Sequence, residues 1–173
     1  EGGCRLIQLR CKGWAHDDIQ RVASALASRC RARQATFIVN DHADIAAAVN
    51  ADGVHVGQLD APTSEVRKIL GPDRIIGRST NQLDQIAAAL VGADYLAFGP
   101  MFPTGNVSSP KEVQGVERFI MARQRVSIPL VAIGGIGLVG LSKARGAGAD
   151  AWAVIGAIQQ APDPVAATRA LCR

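Results

Sequence analysis

Two short apolar runs of this sequence each lead into polar residues that include a carboxylate. The run at 36–39 ends at Asn40 and Asp41, and the run at 53–56 is followed four residues later by Asp60. Two buried parallel strands that each deliver a carboxylate at the carboxyl end can hold one hard cation between them, and Mg²⁺ takes such oxygen ligands together with substrate phosphates. The pair predicts a Mg²⁺ site, although either aspartate alone would suit an ordinary cap or turn.

Polar residues and glycines also follow the other apolar runs. Arg10 and Lys12 lie two residues apart just past one run, and this spacing favours a shared anion over two separate surface charges. Ser79 follows another run, where a serine can also cap the next helix. Gly134 and Gly135 either let backbone N–H groups approach a phosphate or form only a tight turn. The full set at predicted strand ends is Gln8, Arg10, Lys12, Asn40, Asp41, Gln58, Asp60, Ser79, Thr80, Asn81, Thr104, Gly134, Gly135 and Gly156.

No Ser-His-Asp or Cys-His set accompanies these residues in the sequence. His55 lies within an apolar run and is predicted to belong to the core or a wall, whereas His16 and His42 are predicted at the surface or in loops. The set therefore favours binding and ionisation of a phosphorylated substrate over covalent catalysis.

Strands and helices alternate along the chain, and these elements must position the polar residues. Predicted strands cover residues 5–10, 36–39, 53–56, 75–77, 95–98, 130–133 and 151–155. Predicted helices cover residues 17–33, 44–49, 63–70, 83–91, 116–124, 139–147 and 164–171, and residues 101–114 form a long loop. Asp17 is predicted to cap the first helix.

The predicted strands are continuous apolar runs, as in a parallel sheet that is buried on both faces. An Ala-Asp phrase with glycine recurs at 51–53, 92–94 and 148–150, each time before an apolar run that ends in glycine. This recurrence indicates a repeated helix–turn–strand unit. The pattern predicts an α/β fold of the TIM-type (β/α)₈ barrel, with a doubly wound open sheet as the alternative.

The predicted units fall short of a complete barrel. We find about seven strands in 173 residues, whereas such a barrel usually needs upwards of about 200 residues. Residues 1–3 resemble the end of a helix, so the first β/α unit is expected before Glu1. The prediction is one (β/α) barrel domain over residues 1–173, truncated at its N-terminus.

Composition and charge limit the classes of protein to which this chain can belong. Hydrophobic residues make up 48% of the chain and the net charge is +4, which suits a packed core and small anionic substrates. Basic residues are scattered without interleaved aromatic residues, so we predict no nucleic-acid partner. No apolar run approaches the roughly 20 residues of a membrane span, and no signal peptide is visible. The four cysteines form no C-x-x-C pair, which predicts reduced thiols in a cytoplasmic protein.

Short motifs along nearly the whole chain resemble those of the thiamine phosphate synthase family. In order they are Gln8-x-Arg10-x-Lys12, Asn40-Asp41, Gly53-Val54-His55-x-Gly57-Gln58-x-Asp60, Gly77-x-Ser79-Thr80, Gly99-Pro100-x-Phe102-Pro103-Thr104, Ala132-Ile133-Gly134-Gly135-Ile136 and Val154-Ile155. Each motif is weak by itself, but the shared order is specific. The family's first strand and helix have no counterpart here, in agreement with the predicted missing unit.

The resemblance implies a transferase with Mg²⁺ as cofactor. It would join 4-amino-5-hydroxymethyl-2-methylpyrimidine diphosphate to 4-methyl-5-(2-phosphoethyl)thiazole and release thiamine monophosphate and diphosphate. In the family the pyrimidine C–O bond ionises first, and the thiazole nitrogen captures the carbocation. By matching position, Asp41 and Asp60 would hold Mg²⁺.

The resemblance also implies a role for each remaining site residue. Arg10, Lys12 and Asn40 would bind the diphosphate, Gln8 and Ser79 would orient the pyrimidine, Thr104 would contact the substrates, and Gly135, Ile155 and Gly156 would line the thiazole phosphate site. Arg10, Lys12 and Ser79 are the candidate catalytic residues among them. Barrels of this family are often dimers or higher oligomers, so a homo-oligomer is compatible with the resemblance.

The sequence departs from the family pattern in two places. After Phe-Pro-Thr the family usually has x-Thr-Lys, whereas this chain has Gly105, Asn106 and Val107. A lysine that would meet the diphosphate is thereby replaced, and Lys111 on the same loop is the candidate substitute. Gly156 stands where the family tends to have serine, which removes a hydroxyl near the thiazole phosphate.

Two other functions stay open from the sequence. A related thiazole tautomerase shares the barrel but uses a histidine where this chain has Pro100, and the intact metal pair argues against it. A non-catalytic relative that binds thiazole or pyrimidine phosphates, or a truncated domain of a larger thiamine-pathway protein, is the other alternative. Loss of the loop lysine supports this last hypothesis.

Overall fold

The computed structural model describes residues 1–105 and 112–173 and divides into two compact units. The first unit contains Arg5–Arg78 and Gly92–Asp94. The second contains Glu1–Cys4, Ser79–Val91 and the described part of Tyr95–Arg173. Strand pairing is parallel within both units, which confirms the predicted parallel α/β class.

The first unit alternates strands and helices and has its own core. Its elements are β1 (Leu6–Leu9), α1 (His16–Arg31), β2 (Thr36–Asn40), α2 (Ala43–Ala48), β3 (Gly53–Val56), α3 (Thr63–Leu70) and β4 (Ile75–Thr80), whose last two residues belong to the second unit. Each strand pairs with its neighbour in the chain. Ile19, Ala23, Ala27 and Cys30 form the buried face of α1 at helical spacing, and they pack on fully buried residues of β2 and β3.

The second unit repeats this alternation. Its elements are a 3₁₀ turn (Leu83–Gln85), α4 (Ile86–Ala89), β5 (Tyr95–Phe98), α5 (Gly115–Arg123), β6 (Leu130–Ile133), α6 (Leu138–Gly146), β7 (Ala151–Ala153), α7 (Gly156–Gln159) and α8 (Pro164–Leu171). β6 pairs with both β5 and β7. Phe98 of β5 packs edge-on against Phe119 of α5, with 6.1 Å between the ring centroids, and this contact fixes α5 on the sheet.

The recurring Ala-Asp phrase has the same structural role in all three copies. Each aspartate accepts a hydrogen bond of 2.7 Å from a backbone N–H near the start of the strand before it: Asp52 from Phe37, Asp94 from Ile76 and Asp150 from Leu130. These contacts lie at the amino ends of the strands, where special residues in barrel-type folds serve stability rather than chemistry. The aspartate of each copy therefore stabilises the fold by linking the turn before one strand to the start of the preceding strand.

Several predicted element boundaries were wrong. β4 extends three residues beyond the predicted 75–77, because the polar residues Arg78, Ser79 and Thr80 continue the extended backbone. The predicted helix at 83–91 is a 3₁₀ turn followed by α4, and the predicted strand at 151–155 is β7 followed by α7. These pieces have three or four residues, which is too short for a helical period to show in the sequence.

The predicted cap at Asp17 was also wrong. α1 begins at His16 with Ala15 as its N-cap, so Asp17 lies in the first turn. It still favours the helix there, because a negative charge near the N-terminus complements the helix dipole. α8, by contrast, has a capping residue in Asp163, which accepts hydrogen bonds from the N–H groups of Val165 and Ala166.

Candidate active site

Two aspartates of the first unit are held at the carboxyl ends of β2 and β3 by backbone contacts. Asp41 follows the last residue of β2 with a φ of +67°, and its N–H donates to the His55 carbonyl at 2.8 Å. The Asp60 carboxylate accepts a hydrogen bond from the Gly57 N–H at 2.6 Å. A Cβ at Gly57 would lie 2.8 Å from this carboxylate oxygen, so a larger residue there would displace the Asp60 side chain.

The two carboxyl groups interact directly, and their pKa values shift in opposite directions. Burial raises the pKa of Asp41, Lys12 opposes this change, and the Asp60 carboxylate adds to it. Burial also acts upward on Asp60, but hydrogen bonds from Asp41 and from the Gly57 N–H outweigh it and lower the pKa of Asp60. Ionisation is thus easier at Asp60 than at Asp41, as expected when the charge on one carboxylate disfavours ionisation of its neighbour.

Lys12 is the positively charged residue that contacts Asp41 in the first unit. Its Nζ forms an ion pair with Asp41 Oδ2, and the Lys12 side chain is about half exposed while Asp41 is largely enclosed. Lys12 can therefore turn from the aspartate to an incoming anion without entering the core. The structure thus places Lys12 beside one of the two predicted Mg²⁺ ligands.

The carboxylate pair fits Mg²⁺ by its chemistry. No cluster of three or more His, Cys, Asp or Glu side chains suited to a metal occurs among residues 1–105 and 112–173. Mg²⁺ does not need such a cluster, because it is usually held by one or two carboxylates and keeps its other positions for water and substrate phosphates. The adjacent carboxyl groups of Asp41 and Asp60 supply that donor set.

Gln8, Arg10 and Asn40 lie at or near the carboxyl ends of the neighbouring strands β1 and β2. Gln8 is an exposed residue of β1 and pairs in register with Ile38 of β2. Arg10 directly follows β1, and its positive charge acts on the His55 imidazole. Asn40 is the final residue of β2 and pairs in register with His55. The first unit therefore places these predicted residues on adjacent strands.

The sequence did not reveal the protonation state of His55, which lies next to the candidate site. It is buried in β3, as predicted. Burial lowers its pKa to about 4, with Asp60 opposing and Arg10 contributing to the shift. The imidazole is therefore neutral near pH 7. The one sequence feature that indicated this state is the position of His55 inside an apolar run.

In the second unit, the end of β4 presents Ser79 and Thr80. Ser79 lies inside β4, and the N-cap of the following 3₁₀ turn is Gln82, so the alternative of Ser79 as a helix cap was wrong. Thr80 is buried, and its hydroxyl donates to the Gln82 carbonyl at 3.0 Å. Its carbonyl accepts from the Gly99 N–H at 3.4 Å. These contacts fix the backbone that carries Ser79.

The Gly134–Gly135 turn packs directly against the segment after β5. Both glycines have positive φ angles, +88° and +67°. A Cβ on Gly135 would lie 2.5 Å from the Pro103 carbonyl oxygen, and the Phe102 N–H donates to the Gly134 carbonyl at 3.0 Å. The glycines are thus needed for a tight turn, and the turn also holds the segment that leads to the partly buried Thr104.

Ile155 and Gly156 lie where β7 ends and α7 begins. Ile155 is the N-cap residue of α7 and is exposed at 41%. Gly156 is the first residue of this four-residue helix, which the sequence did not predict. Three residues of the loop named in the sequence comparison, Asn106, Val107 and Lys111, lie outside the described residues.

Comparison with known proteins places these features in a family. The chain matches the family model described as thiamine monophosphate synthase over residues 1–158. It is 45% identical over 172 residues to the thiamine-phosphate synthase of Chlorobium phaeobacteroides, covering 99% of this chain and 84% of that protein. It is 42% identical over 170 residues to the thiamine-phosphate synthase of Laribacter hongkongensis, covering 98% and 81%.

A solved structure is similar as well. The thiamine phosphate pyrophosphorylase from Pyrococcus furiosus matches with a TM-score of 0.91 and 37% sequence identity, covering 99% of this chain and 82% of that chain. Among the described residues, no helix is both long and apolar enough to cross a bilayer.

Proposed function

Because the chain belongs to the thiamine monophosphate synthase family, we propose that it is a transferase that makes thiamine monophosphate. The substrates are the pyrimidine diphosphate and the thiazole phosphate named above, and diphosphate is the second product. The observation that carries the proposal is the interacting carboxyl pair of Asp41 and Asp60, with Lys12 paired to Asp41. Two such carboxylates suit a Mg²⁺ ion that also takes oxygen ligands from a substrate diphosphate.

Asp41 and Asp60 are the residues that would hold Mg²⁺. When bound there, the ion supplies Lewis-acid stabilisation of the charge that develops on the departing diphosphate. Asp60 keeps its orientation through the hydrogen bond from the Gly57 N–H.

Arg10, Lys12 and Asn40 are proposed to bind the diphosphate. Charge-assisted hydrogen bonds from Arg and Lys to phosphate oxygens are roughly twice as strong as neutral ones. They act most strongly when negative charge accumulates on the leaving group, so they lower the barrier to C–O ionisation. Lys12 has the freedom for this role, because its side chain is about half exposed and its present partner is Asp41.

The remaining proposed contacts orient the two rings. Gln8 and Ser79 would hold the pyrimidine through their amide and hydroxyl groups, and Thr104 would contact the substrates. The proposed site for the thiazole phosphate consists of Gly135, Ile155 and Gly156. A glycine turn such as 134–135 exposes backbone N–H groups that can approach phosphate oxygens.

The finer architecture and cellular context belong to the same proposal. We propose that the parallel α/β units form part of a TIM-type (β/α)₈ barrel, in which active sites lie at the carboxyl ends of strands. A cytoplasmic location and assembly into a homo-oligomer are further proposals from the family. Light scattering during size-exclusion chromatography tests the assembly directly.

Neither alternative function is favoured by the relatives reported above. The tautomerase alternative lacks its histidine, since Pro100 occupies that position. The non-catalytic alternative depends on the loop residues 105–107, and it predicts substrate binding without turnover.

The test is product formation from the two purified substrates. Thiamine monophosphate identified by chromatography and mass spectrometry supports the transferase, and its absence despite measurable binding of both substrates favours the non-catalytic alternative. Isomerisation of the thiazole alone identifies a tautomerase.

A further inference from the structure

Cys4 and Cys172 form a pair of thiols in the second unit, far apart in the sequence. Both are exposed, and the Cys172 side chain is in hydrogen-bonding contact with Cys4. Neither residue belongs to the proposed active site. We propose that this pair is an oxidation site, where hydrogen peroxide converts the two thiols into a reversible intramolecular disulfide.

A close backbone approach holds the segment that carries Cys4. Gly2 lies against α8, and a Cβ built on Gly2 would come within 2.5 Å of the Thr168 Cβ and 3.1 Å of the Val165 carbonyl oxygen. Only glycine permits this approach without a shift of one of the partners. Cys4 follows two residues later and is thereby brought to the end of the same helix.

The position of Cys172 is fixed independently. The Trp152 indole N–H of β7 donates to the Leu171 carbonyl at 2.9 Å, and the Cys172 N–H donates to the Thr168 carbonyl at 3.0 Å. Thr168 therefore takes part in both anchors, since it also packs against Gly2. The segments that carry Cys4 and Cys172 are thus both held at the Thr168 turn of α8.

The chemistry balances with peroxide as the oxidant. The thiolate of one cysteine attacks a peroxide oxygen, the O–O bond breaks, and protonation of the leaving hydroxide gives water and a sulfenic acid. The second thiolate attacks the sulfenic sulfur, forms the S–S bond and releases a second water after proton transfer. Two thiols and one peroxide thus give one disulfide and two waters, and a dithiol reductant reverses the change by exchange.

Exposure and contact distinguish this pair from the other cysteines. Cys30 is buried in the core of the first unit and Cys11 is partly buried. Burial and the neighbouring Cys4 raise the pKa of the Cys172 thiol, which keeps this thiol protonated at neutral pH. In a reducing compartment such a disulfide is transient, as is typical of oxidation-sensitive pairs.

The test is peptide mapping of the whole chain after peroxide treatment and alkylation. Before alkylation, the oxidised chain should be lighter than the reduced chain by two hydrogens. After alkylation, the peptide map should contain a cross-linked peptide that joins Cys4 to Cys172, together with alkylated Cys11 and Cys30. Cys4→Ser and Cys172→Ser should each abolish the cross-link, whereas Cys11→Ser should retain it. Alkylation of Cys4 and Cys172 as separate thiols, their separate conversion to sulfinic acids, or disulfides between chains would overturn the proposal.

A second variant tests the geometry without removing a thiol. Gly2→Ala should slow disulfide formation several-fold, because the added methyl group displaces the segment from Thr168. Gly146→Ala is the matched control, since a Cβ there meets no atom within 4 Å. Thermal melting verifies that both variants fold, and an unchanged oxidation rate in folded Gly2→Ala would refute the proposed alignment.

Discussion

At the scale of single residues, the proposed chemistry depends on charge held at the ends of β2 and β3. The Asp41 and Asp60 carboxyl groups interact, and Lys12 forms an ion pair with Asp41. Strand-end position predicted which residues come together. It could not predict which of the two pKa values is raised, because that depends on the Gly57 N–H and on burial.

Asp41→Asn and Asp60→Asn should each lower kcat by roughly a hundredfold or more, comparable to losing one transition-state stabilising group. Each substitution removes a proposed Mg²⁺ ligand charge while it preserves size. The Mg²⁺ concentration needed for half-maximal rate should rise in both variants. Asp73→Asn, an exposed aspartate of the same unit, is the control and should behave like the unmodified chain; wild-type kinetics in both active-site variants would refute the metal assignment.

The ion pair between His16 and Asp44 gives a prediction about pH. The hydrogen bond to Asp44 raises the pKa of His16. For Asp44, burial acts upward, but the His16 hydrogen bond, the backbone hydrogen bonds and the His16 charge together lower the pKa. The stabilising contribution of His16 is present below its ordinary pKa and disappears as pH rises through the raised value. That of Asp44 is present above its ordinary pKa and disappears as pH falls through the lowered value.

Histidine titration followed by NMR measures these shifts. In the unmodified chain His16 should titrate above the ordinary value of about 6.5, and in Asp44→Asn its pKa should fall towards that value. His55 should titrate at about 4 in both proteins. An unchanged His16 pKa in Asp44→Asn would show that the carboxylate does not cause the shift.

At the scale of elements, short turns determine where the proposed ligands lie. The Gly134–Gly135 turn between β6 and α6 packs on the carbonyls of the segment after β5. The sequence marked this pair as a phosphate site or a tight turn, and the structure has the turn. The positive φ angles follow from contacts distant in sequence, so no local pattern could give them.

Gly135→Ala should destabilise the fold by about 1–3 kcal/mol through backbone strain at positive φ and should weaken binding of the thiazole phosphate. Its added Cβ would lie 2.5 Å from the Pro103 carbonyl oxygen. Gly137→Ala is the control, because that glycine has a φ of −124° and an open surrounding. Thermal melting and the KM for the thiazole phosphate provide the readouts; equal stability and KM in the two variants would contradict the role of the turn.

The Asp150 contact at the amino end of the strands should affect stability and leave catalysis unchanged. Asp150 accepts from the Leu130 N–H and the Arg123 guanidinium. Asp150→Ala should lower the free energy of unfolding by about 1–3 kcal/mol, the usual range for a lost hydrogen bond to a charged group. Denaturant unfolding compares it with Asp84→Ala, an exposed residue of the same unit; a large fall in kcat at full stability would contradict this assignment.

At the scale of the whole molecule, helices that alternate with continuous apolar strands were enough to predict a parallel α/β fold. The strands are continuously apolar because both faces of the sheet are buried, and this property can be read from a single sequence. Elements of three or four residues, such as β7 and α7, escaped prediction because tertiary contacts determine them. Two features remain predictions: a single domain over residues 1–173, and a (β/α)₈ barrel that lacks its first β/α unit.

Family membership and the carboxylate pair lead to one central claim, that the chain ionises a pyrimidine diphosphate with the help of Mg²⁺ and transfers the pyrimidine to a thiazole phosphate. The most direct test is diphosphate release from the pyrimidine diphosphate with the thiazole phosphate present, measured with Mg²⁺ and with a chelator. We expect release equal to thiamine monophosphate formed, dependent on Mg²⁺ and greatly reduced in Asp41→Asn. Release that is unaffected by the chelator, or no release while both substrates bind, would contradict the claim.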